Sequence, residues 1–167
     1  MKNIIIQTPL GSMLAIGSDE ALYLLDFVDN SSLAQKIARF KIIFKTDYME
    51  GYTKPLQQIE SELKEYFARK LKVFKTPVYI WGSLFQKQAW QELINIPYGQ
   101  TISYRTQSLR MENPQAHRAV GSANGKNCLS ILIPCHRVIN NNGNMGGYGG
   151  GLNRKKWLLK MESAILK

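Results

Sequence analysis

The sequence predicts an α+β protein. A small antiparallel sheet with a helix forms its N-terminal domain, and its C-terminal domain is mostly helical with a helix-turn-helix. Short aliphatic segments separated by turn residues fill the first third of the chain, and apolar residues recur every three to four positions in most later segments. An extended stretch at 73–80 contains a proline and separates the two patterns. It predicts domains 1–76 and 83–167, joined by a linker at 77–82.

Three short, mostly aliphatic segments predict the strands of an antiparallel meander. Pro9-Leu10-Gly11 and Ser18-Asp19-Glu20 separate them, and these residue types favour turns. The three segments are 3–8, 12–17 and 22–28.

The following residues predict two helices and one more strand. Ser31 and Ser32 are of a type that caps helices, so a short helix is expected through Phe40. The Ile-Ile-Phe sequence at 42–44 predicts a strand. Residues 53–70 predict an amphipathic helix, because one face carries Leu56, Ile59, Leu63 and Phe67.

The C-terminal half predicts three helices before its cysteines. Residues 83–94 form the first and residues 101–110 the second. Asn113-Pro114 opens the third, with proline at the first helical position. Two short helices joined by a brief turn match a helix-turn-helix, and a plain helical hairpin packed on a core fits the same pattern.

The third helix combines small residues with one long cation, Arg118. Small side chains let a backbone approach another surface closely, and Arg118 can then reach into that surface. This favours a contact with DNA, although close helix packing with Arg118 in solvent accounts for the same residues. The small residues are Ala116, Ala119, Gly121, Ser122 and Ala123.

Positive charge is concentrated in the second half of the chain. Residues 81–167 hold 11 Lys and Arg against 3 Asp and Glu, whereas residues 1–80 hold 11 against 9. Such a field favours a polyanion as partner, and a solvated basic surface without a partner fits equally well. No apolar run has the length of a membrane span or a signal peptide, so a cytoplasmic protein without a membrane partner is expected, nucleoid-associated in a prokaryote.

The cysteine and histidine spacing argues against metal and disulfide sites. Cys128 and Cys135 are separated by six residues, and with His117 and His136 they form no CxxC or HxxxH pattern. An intracellular location also disfavours a disulfide. No metal site is expected, and a free thiol remains to be explained.

Cys135 follows an apparent buried strand, residues 131–133, and Pro134. A buried thiol is inert unless a base or a cation favours the thiolate. His136 and Arg137 supply both, but neighbours on an extended segment point to opposite faces. Either the chain turns here, or a water bridges sulfur and imidazole.

Two later segments complete the pattern. A catalytic histidine needs an acceptor for its second nitrogen, and Glu162, at the margin of a helical apolar stripe, is either half-buried with a partner or at a frayed end. Residues 140–143 predict a turn. The glycine-rich loop 146–151 surrounds Tyr148 and lacks the Gly-Lys-Ser/Thr ending of a nucleotide-binding loop.

Pro134-Cys135-His136-Arg137-Val138-Ile139 resembles the active-site signature of the O6-alkylguanine-DNA alkyltransferases. The resemblance runs from about Phe85 to Glu162, whereas residues 1–80 match only in size and in their strand-helix pattern. Further matching blocks are Ile96-Pro97-Tyr98-Gly99, Ile102-Ser103-Tyr104, Asn113-Pro114, Arg118-Ala119-Val120-Gly121, Asn127 and the glycine loop.

The resemblance implies a suicidal methyltransferase that uses no cofactor. Cys135 would accept the alkyl group from guanine O6 once, His136 would deprotonate Cys135 through a water, and Glu162 would orient His136. Tyr104 would donate to guanine N3, so that the base leaves neutral. Asn127 would brace the turn before the active site.

The resemblance also implies double-stranded DNA containing O6-alkylguanine as partner, with O4-alkylthymine as a second lesion. The protein would bind in the minor groove as a monomer, with cooperative binding left open. Arg118 would fill the gap left by a flipped nucleotide. Other DNA contacts would be Thr101, Ser103, His117, Ala119, Gly121 and Arg137. The base pocket would be lined by Ser130, Val138, Ile139, Tyr148 and Gly149.

Three residues depart from what is common in the family. Gly149 lacks the side chain that relatives often place beside the base, and Ser130 stands where some relatives have proline, which bears on bulky alkyl groups. His117 is larger than the usual residue beside Arg118. None of these is the acceptor.

Three other functions fit parts of the pattern. A non-catalytic alkyltransferase-like protein is disfavoured because Cys135 is present. A helix-turn-helix regulator with a structural cysteine predicts no loss of activity on Cys135→Ala. A cysteine hydrolase predicts repeated turnover of an acyl substrate.

Overall fold

The computed structural model describes residues 1–163, and the last four residues of the predicted 83–167 domain lie outside that range. The chain divides into two compact units, Met1–Ile80 and Trp81–Lys167. Part of the predicted 77–82 linker belongs to the first unit's sheet, because Leu22 exchanges backbone hydrogen bonds with Pro77 and Tyr79. The predicted α+β class is confirmed.

The N-terminal unit is built on a four-stranded sheet. The strands are β1 (Lys2–Thr8), β2 (Gly11–Gly17), β3 (Leu22–Phe27) and β4 (Met49–Glu50), in the order β3-β2-β1-β4. The predicted antiparallel meander is confirmed for β1 to β3. The two-residue β4 was not predicted. It pairs with β1 in parallel, opposite Lys2 and Asn3.

Helix α2 (Lys54–Phe67) covers one face of this sheet. Thr53 begins it, because the Thr53 side chain accepts a hydrogen bond from the Leu56 backbone N–H. The apolar stripe is close to the prediction, except that Tyr66 is buried where Phe67 was expected. The other apolar residues buried by α2 are Pro55, Leu56, Ile59 and Leu63.

The strand predicted at 42–44 is wrong. Helix α1 (Leu33–Phe44) begins after Ser32 and continues through these residues to Lys45. Phe44 lies one helical turn beyond buried Phe40, and both rings pack edge-on against Tyr23. This packing extends the helix and overrides the β propensity of the two isoleucines, which point to solvent.

The second unit contains four helices in its described part. They are α3 (Leu84–Ile94), α4 (Tyr104–Arg110), α5 (His117–Gly125) and α6 (Leu152–Met161), and two short strands, β5 (Ile102–Ser103) and β6 (Val138–Ile139), pair in parallel. Ser83 and Gln86 form a capping box at the start of α3. The helix-turn-helix consists of α4 and α5, locked by reciprocal amide hydrogen bonds between Gln107 and Asn124.

Two predicted helix starts and one predicted strand in this unit are wrong. The second helix begins at Tyr104 because Ile102 and Ser103 pair with β6. The third helix begins at His117, since Pro114 lies in a turn instead of the first helical position. Residues 131–133 form a turn closed by a bridge between Ser130 and Ile133, not a strand.

Within residues 1–163, no helix combines the length and the apolar character needed to cross a membrane.

Candidate active site

Cys135 opens a 3₁₀ turn, Cys135–Arg137, and is only 8% exposed. The chain therefore turns at this point, which was one of the two alternatives left by the sequence. Asn127 holds the turn from behind: its amide group donates to the Ile133 carbonyl at 2.8 Å and lies 3.4 Å from the Cys135 sulfur. Its oxygen accepts from the Leu129 backbone N–H at 2.9 Å.

Glu162, at the end of α6, is buried and fully engaged. Its Oε1 lies 2.9 Å from His136 Nε2, and both of its oxygens accept from the Arg137 guanidinium at 2.9 Å. Burial by itself raises the pKa of Glu162, but hydrogen bonds and charge from His136 and Arg137 outweigh it and hold this pKa well below its usual range. Glu162 is therefore an ionised, partnered carboxylate and not a frayed end.

His136 is completely buried and faces this carboxylate. Burial lowers the pKa of His136, and the opposing effect of Glu162 does not restore it. The neutral ring donates from Nε2 to Glu162, which leaves a lone pair on Nδ1. Among residues 1–163, nothing hydrogen-bonds to this buried Nδ1 atom. The site thus contains a neutral imidazole with one open acceptor, as a proton-accepting base requires.

Arg137, which was predicted as a DNA contact, points into the protein in this structure. Its guanidinium is buried, donates twice to Glu162 and donates from Nη1 to the Ile96 carbonyl at 2.7 Å. The 3₁₀ turn sends Arg137 inward, where it neutralises the carboxylate that His136 needs.

A cavity of about 810 Å³ lies beside Cys135. It brings together residues from α4, α5, the glycine loop and the 3₁₀ turn Cys135–Arg137, which we call the acceptor turn. Seven predicted site residues line it: Cys135, Tyr104, His117, Arg118, Gly121, Tyr148 and Gly149. Arg118 and Ala119 are exposed on α5, so the cavity adjoins the helix predicted to contact DNA.

Tyr104 is the first residue of α4, and its hydroxyl donates to the Gly147 carbonyl at 3.3 Å. Burial, and then the negative charge of Cys135, raise the pKa of Tyr104 above its usual value. The phenol therefore keeps its proton and serves as a donor at the cavity wall. Gly146 makes room for it, since a Cβ atom there would lie 2.9 Å from Tyr104 Cε2.

Several residues predicted to line the base pocket or to contact DNA lie outside the cavity lining, among them Ser130, Val138, Ile139, Thr101 and Ser103. Val138 and Ile139 are buried in β6, and Ser130 is buried beside the turn that precedes the acceptor. Thr101 and Ser103 are half-buried before α4, where the Ser103 hydroxyl accepts from the Thr106 backbone N–H. The base-pocket roles of Ser130, Val138 and Ile139 stay predictions.

Sequence reasoning missed Lys155, a fully buried residue of α6. Its ammonium donates to the carbonyls of Val138, Met145 and Gly147. Burial lowers the pKa of Lys155 to about 8, against an opposing effect of Cys135. The available signal was its spacing, because Lys155 precedes Leu158, Leu159 and Glu162 by three, four and seven residues on one helix face.

Within the described residues, no group of three or more His, Cys, Asp or Glu side chains is placed to hold a metal ion.

Comparison with known proteins identifies the family of both units. Residues 84–164 match the family described as 6-O-methylguanine DNA methyltransferase, DNA binding domain, and residues 1–80 match its ribonuclease-like domain. This chain belongs to the 6-O-methylguanine DNA methyltransferase family. The resemblance inferred from the second half is confirmed, and membership extends to residues 1–80, where the sequence matched only in pattern.

Similar proteins within this family cover nearly the whole chain. The methylated-DNA–protein-cysteine methyltransferase of Methanosarcina barkeri is 37% identical over 98% of each chain. The enzyme of that name from Shigella flexneri is 38% identical over 96% of this chain and 95% of its own. The structure of Mycobacterium tuberculosis OGT in complex with DNA matches with a TM-score of 0.85 and 34% identity, covering 98% of this chain and 93% of that one.

Proposed function

We propose that this chain repairs alkylated DNA by transferring the alkyl group from O6 of guanine to the sulfur of Cys135. One observation carries the proposal: Cys135 lies at the wall of a cavity large enough to admit a purine, and the next residue belongs to a buried His136–Glu162 pair whose second imidazole nitrogen is open. Membership of the family supports the same reaction.

The first step is deprotonation of Cys135. Nδ1 of His136 accepts the thiol proton through a bridging water, and Glu162 stabilises the imidazolium that forms. Arg137 already neutralises part of the negative charge of Glu162. The positive charge that forms on His136 is therefore balanced by the Cys135 thiolate as well as by Glu162. The relay therefore favours a brief proton transfer that is coupled to attack.

The second step is an in-line displacement at the alkyl carbon. The sulfur–carbon bond forms while the carbon–O6 bond breaks, and its electron pair passes into the purine. Tyr104 transfers its hydroxyl proton to N3 as the carbon–O6 bond breaks, so that guanine leaves as a neutral base, and the proton taken up by His136 keeps the site's overall charge unchanged. The resulting thioether has no good leaving group, which makes the reaction single-use and independent of a cofactor.

The target base has to leave the DNA stack before it can reach the sulfur. The cavity volume of about 810 Å³ is within the range of ligand pockets, which supports binding of an everted purine. Exposed Arg118 would hold the gap in the duplex, and the small residues Ala119 and Gly121 would allow α5 to approach the minor groove. O4-alkylthymine enters the same pocket in this proposal.

The decisive experiment is to incubate the protein with DNA that contains O6-methylguanine and to weigh it. We expect a gain of one methyl group, about 14 Da, on the peptide that contains Cys135, with no second round. Cys128→Ser is the matched control, because it removes a thiol from outside the cavity lining. A gain on Cys128, or repeated turnover of substrate, would reject the proposal.

The finer partner and location assignments are also proposals. We expect a monomer in gel filtration and a cytoplasmic location, nucleoid-associated in a prokaryote. Affinity for duplex DNA should fall steeply with salt, because the net charge of +10 lies mainly in residues 81–167.

A further inference from the structure

Lys155 is a buried cation for which the proposed chemistry has no use. Its three acceptors are backbone carbonyls, and within the described residues it forms no ion pair with a carboxylate. Burying an ammonium group without a counter-charge is unfavourable. A leucine could be buried at this position of α6 without that cost, so the lysine must contribute an interaction that an apolar side chain cannot make.

The three carbonyls belong to segments beside the cavity, and of the three residues Gly147 lines it. Val138 follows the acceptor turn, and Met145 and Gly147 flank Gly146 in the glycine loop. The Gly147 carbonyl also accepts the hydrogen bond of Tyr104. One ammonium group thus connects the segment after Cys135, the glycine loop and Tyr104.

The number of donors matches the number of acceptors. A charged lysine has three N–H groups and a neutral amine has two. The charged form satisfies all three carbonyls, and burial brings its pKa to about 8. Three titratable groups face it: Cys135, whose charge acts on Lys155, His136, whose pKa the charge of Lys155 helps to lower, and Tyr104, whose ring centroid lies 5.8 Å from Nζ.

The glycine loop needs such a tie because its own residues restrain it weakly. Gly146 adopts a φ of +68°, and Gly147 is exposed with no atom within 4 Å of where its Cβ would be. Glycine backbones sample many conformations. Without an anchor, the carbonyl that orients the Tyr104 hydroxyl would not stay in one place.

We propose that Lys155 is a positioning residue for alkyl transfer, which fixes the glycine loop to the segment after Cys135 and thereby sets the Tyr104 hydroxyl against the base. The inference rests on the proposed function, because it assigns a role within that reaction. Lys155 acts through Tyr104 and Gly147 and does not itself touch the alkyl carbon.

The test is a double-mutant cycle between Lys155→Met and Tyr104→Phe. Methionine keeps the length of the side chain but has neither charge nor N–H groups. Single-turnover transfer from duplex DNA is measured at saturating DNA, so that binding does not contribute. We expect Lys155→Met to slow transfer by about 100-fold, the scale of a 1 Å misplacement, and to slow it little further once Tyr104 is phenylalanine.

Lys156→Met is the matched control, because Lys156 is the next residue of α6 and is exposed. It should leave transfer unchanged. Effects of Lys155→Met and Tyr104→Phe that multiply independently would show that Lys155 does not act through Tyr104 and would overturn the inference. Methyl transfer by the parent protein and by Lys156→Met reports separately on the proposed function.

A second measurement needs no variant at Lys155, in case Lys155→Met does not fold. The transfer rate of the parent protein is followed from pH 7 to pH 9.5 and compared with that of Tyr104→Phe. We expect a decline above pH 8 in the parent, where the third N–H is lost, and no such decline in Tyr104→Phe. A parent profile that keeps rising, or an identical decline in both proteins, would contradict the role assigned to Lys155.

Discussion

Each unit of the protein buries a cluster of charged side chains, and the two clusters differ in one respect. In the N-terminal unit, Asp26 accepts hydrogen bonds from Lys36 Nζ at 2.6 Å, from Asn30 Nδ2 at 2.9 Å and from the Phe27 backbone N–H at 2.9 Å. In the C-terminal unit, Glu162 binds Arg137 and His136, and His136 Nδ1 is left open within the described residues.

The difference teaches what separates a supporting cluster from a reactive one. The Asp26 carboxylate is used to attach α1 to β3, so its lone pairs are committed to the fold. The Glu162 cluster ends in an imidazole lone pair next to a thiol. Burial and ion pairing are common to both clusters, and only the open acceptor can take a proton during a reaction.

The largest expected effect separates the two clusters by activity. His136→Asn removes the base and should slow alkyl transfer by about 10²- to 10⁴-fold, the usual contribution of general base catalysis. Asp26→Asn should leave the transfer rate of the folded protein unchanged. Single-turnover assays of both variants test this, and equal losses would mean that the comparison is wrong.

The next largest effect is the contribution of the Asp26 cluster to the free energy of unfolding. Lys36→Met leaves the Asp26 carboxylate buried without its cation, so the free energy of unfolding should fall by about 3–5 kcal/mol. Lys41→Met is the control, since Lys41 pairs with Asp47 on the surface and its loss should cost under about 1 kcal/mol. Urea unfolding measures both, and similar losses would show that the buried pair has no special weight.

Stability at alkaline pH should reveal the third buried cation, Lys155. Its pKa is about 8 in the folded protein and 10.5 in the reference state, so between these values the unfolded chain binds more protons. The free energy of unfolding of the parent should therefore rise with pH relative to Lys155→Met, by about 3 kcal/mol in total at roughly 1.4 kcal/mol per pKa unit. Parallel stability curves from pH 8 to 10.5 would contradict this.

The smallest effect concerns the cavity wall. Gly146→Ala places a Cβ atom 2.9 Å from Tyr104 Cε2 on a backbone with φ of +68°, so it should displace Tyr104 and destabilise the fold by about 1–2 kcal/mol. We expect transfer to slow by roughly tenfold, which corresponds to 1.4 kcal/mol. Gly125→Ala, at the end of α5, has open space around its added Cβ atom and is the control. Equal rates in the two variants would show that Tyr104 tolerates displacement.

Much of the fold was predictable because local patterns agreed with it. The meander followed from turn residues between aliphatic segments, and α2 from the spacing of Leu56, Ile59 and Leu63. The errors arose where packing overrode propensity. Ile131 adopts a φ of +75°, which is rare for a β-branched residue, in a turn closed by the Asn127 side chain.

The site divides in the same way. The signature around Cys135 indicated the reaction, because it resembles the active-site signature of the O6-alkylguanine-DNA alkyltransferases. It did not reveal the direction of the Arg137 side chain, since a 3₁₀ turn and not an extended segment decides which way that side chain points. Lys155 was missed because a single lysine in an apolar stripe has no meaning until the carbonyls around it are known.

The sequence by itself determined the class of the fold through its periodicity, and it determined the acceptor and the kind of reaction through the resemblance of its signature to a known family. The tertiary structure decided which buried carboxylates are held in hydrogen bonds of the fold and that Nδ1 of His136 keeps a lone pair for a proton. That distinction depends on distances between residues as far apart as His136 and Glu162, and it is created only when α6 packs against the acceptor turn.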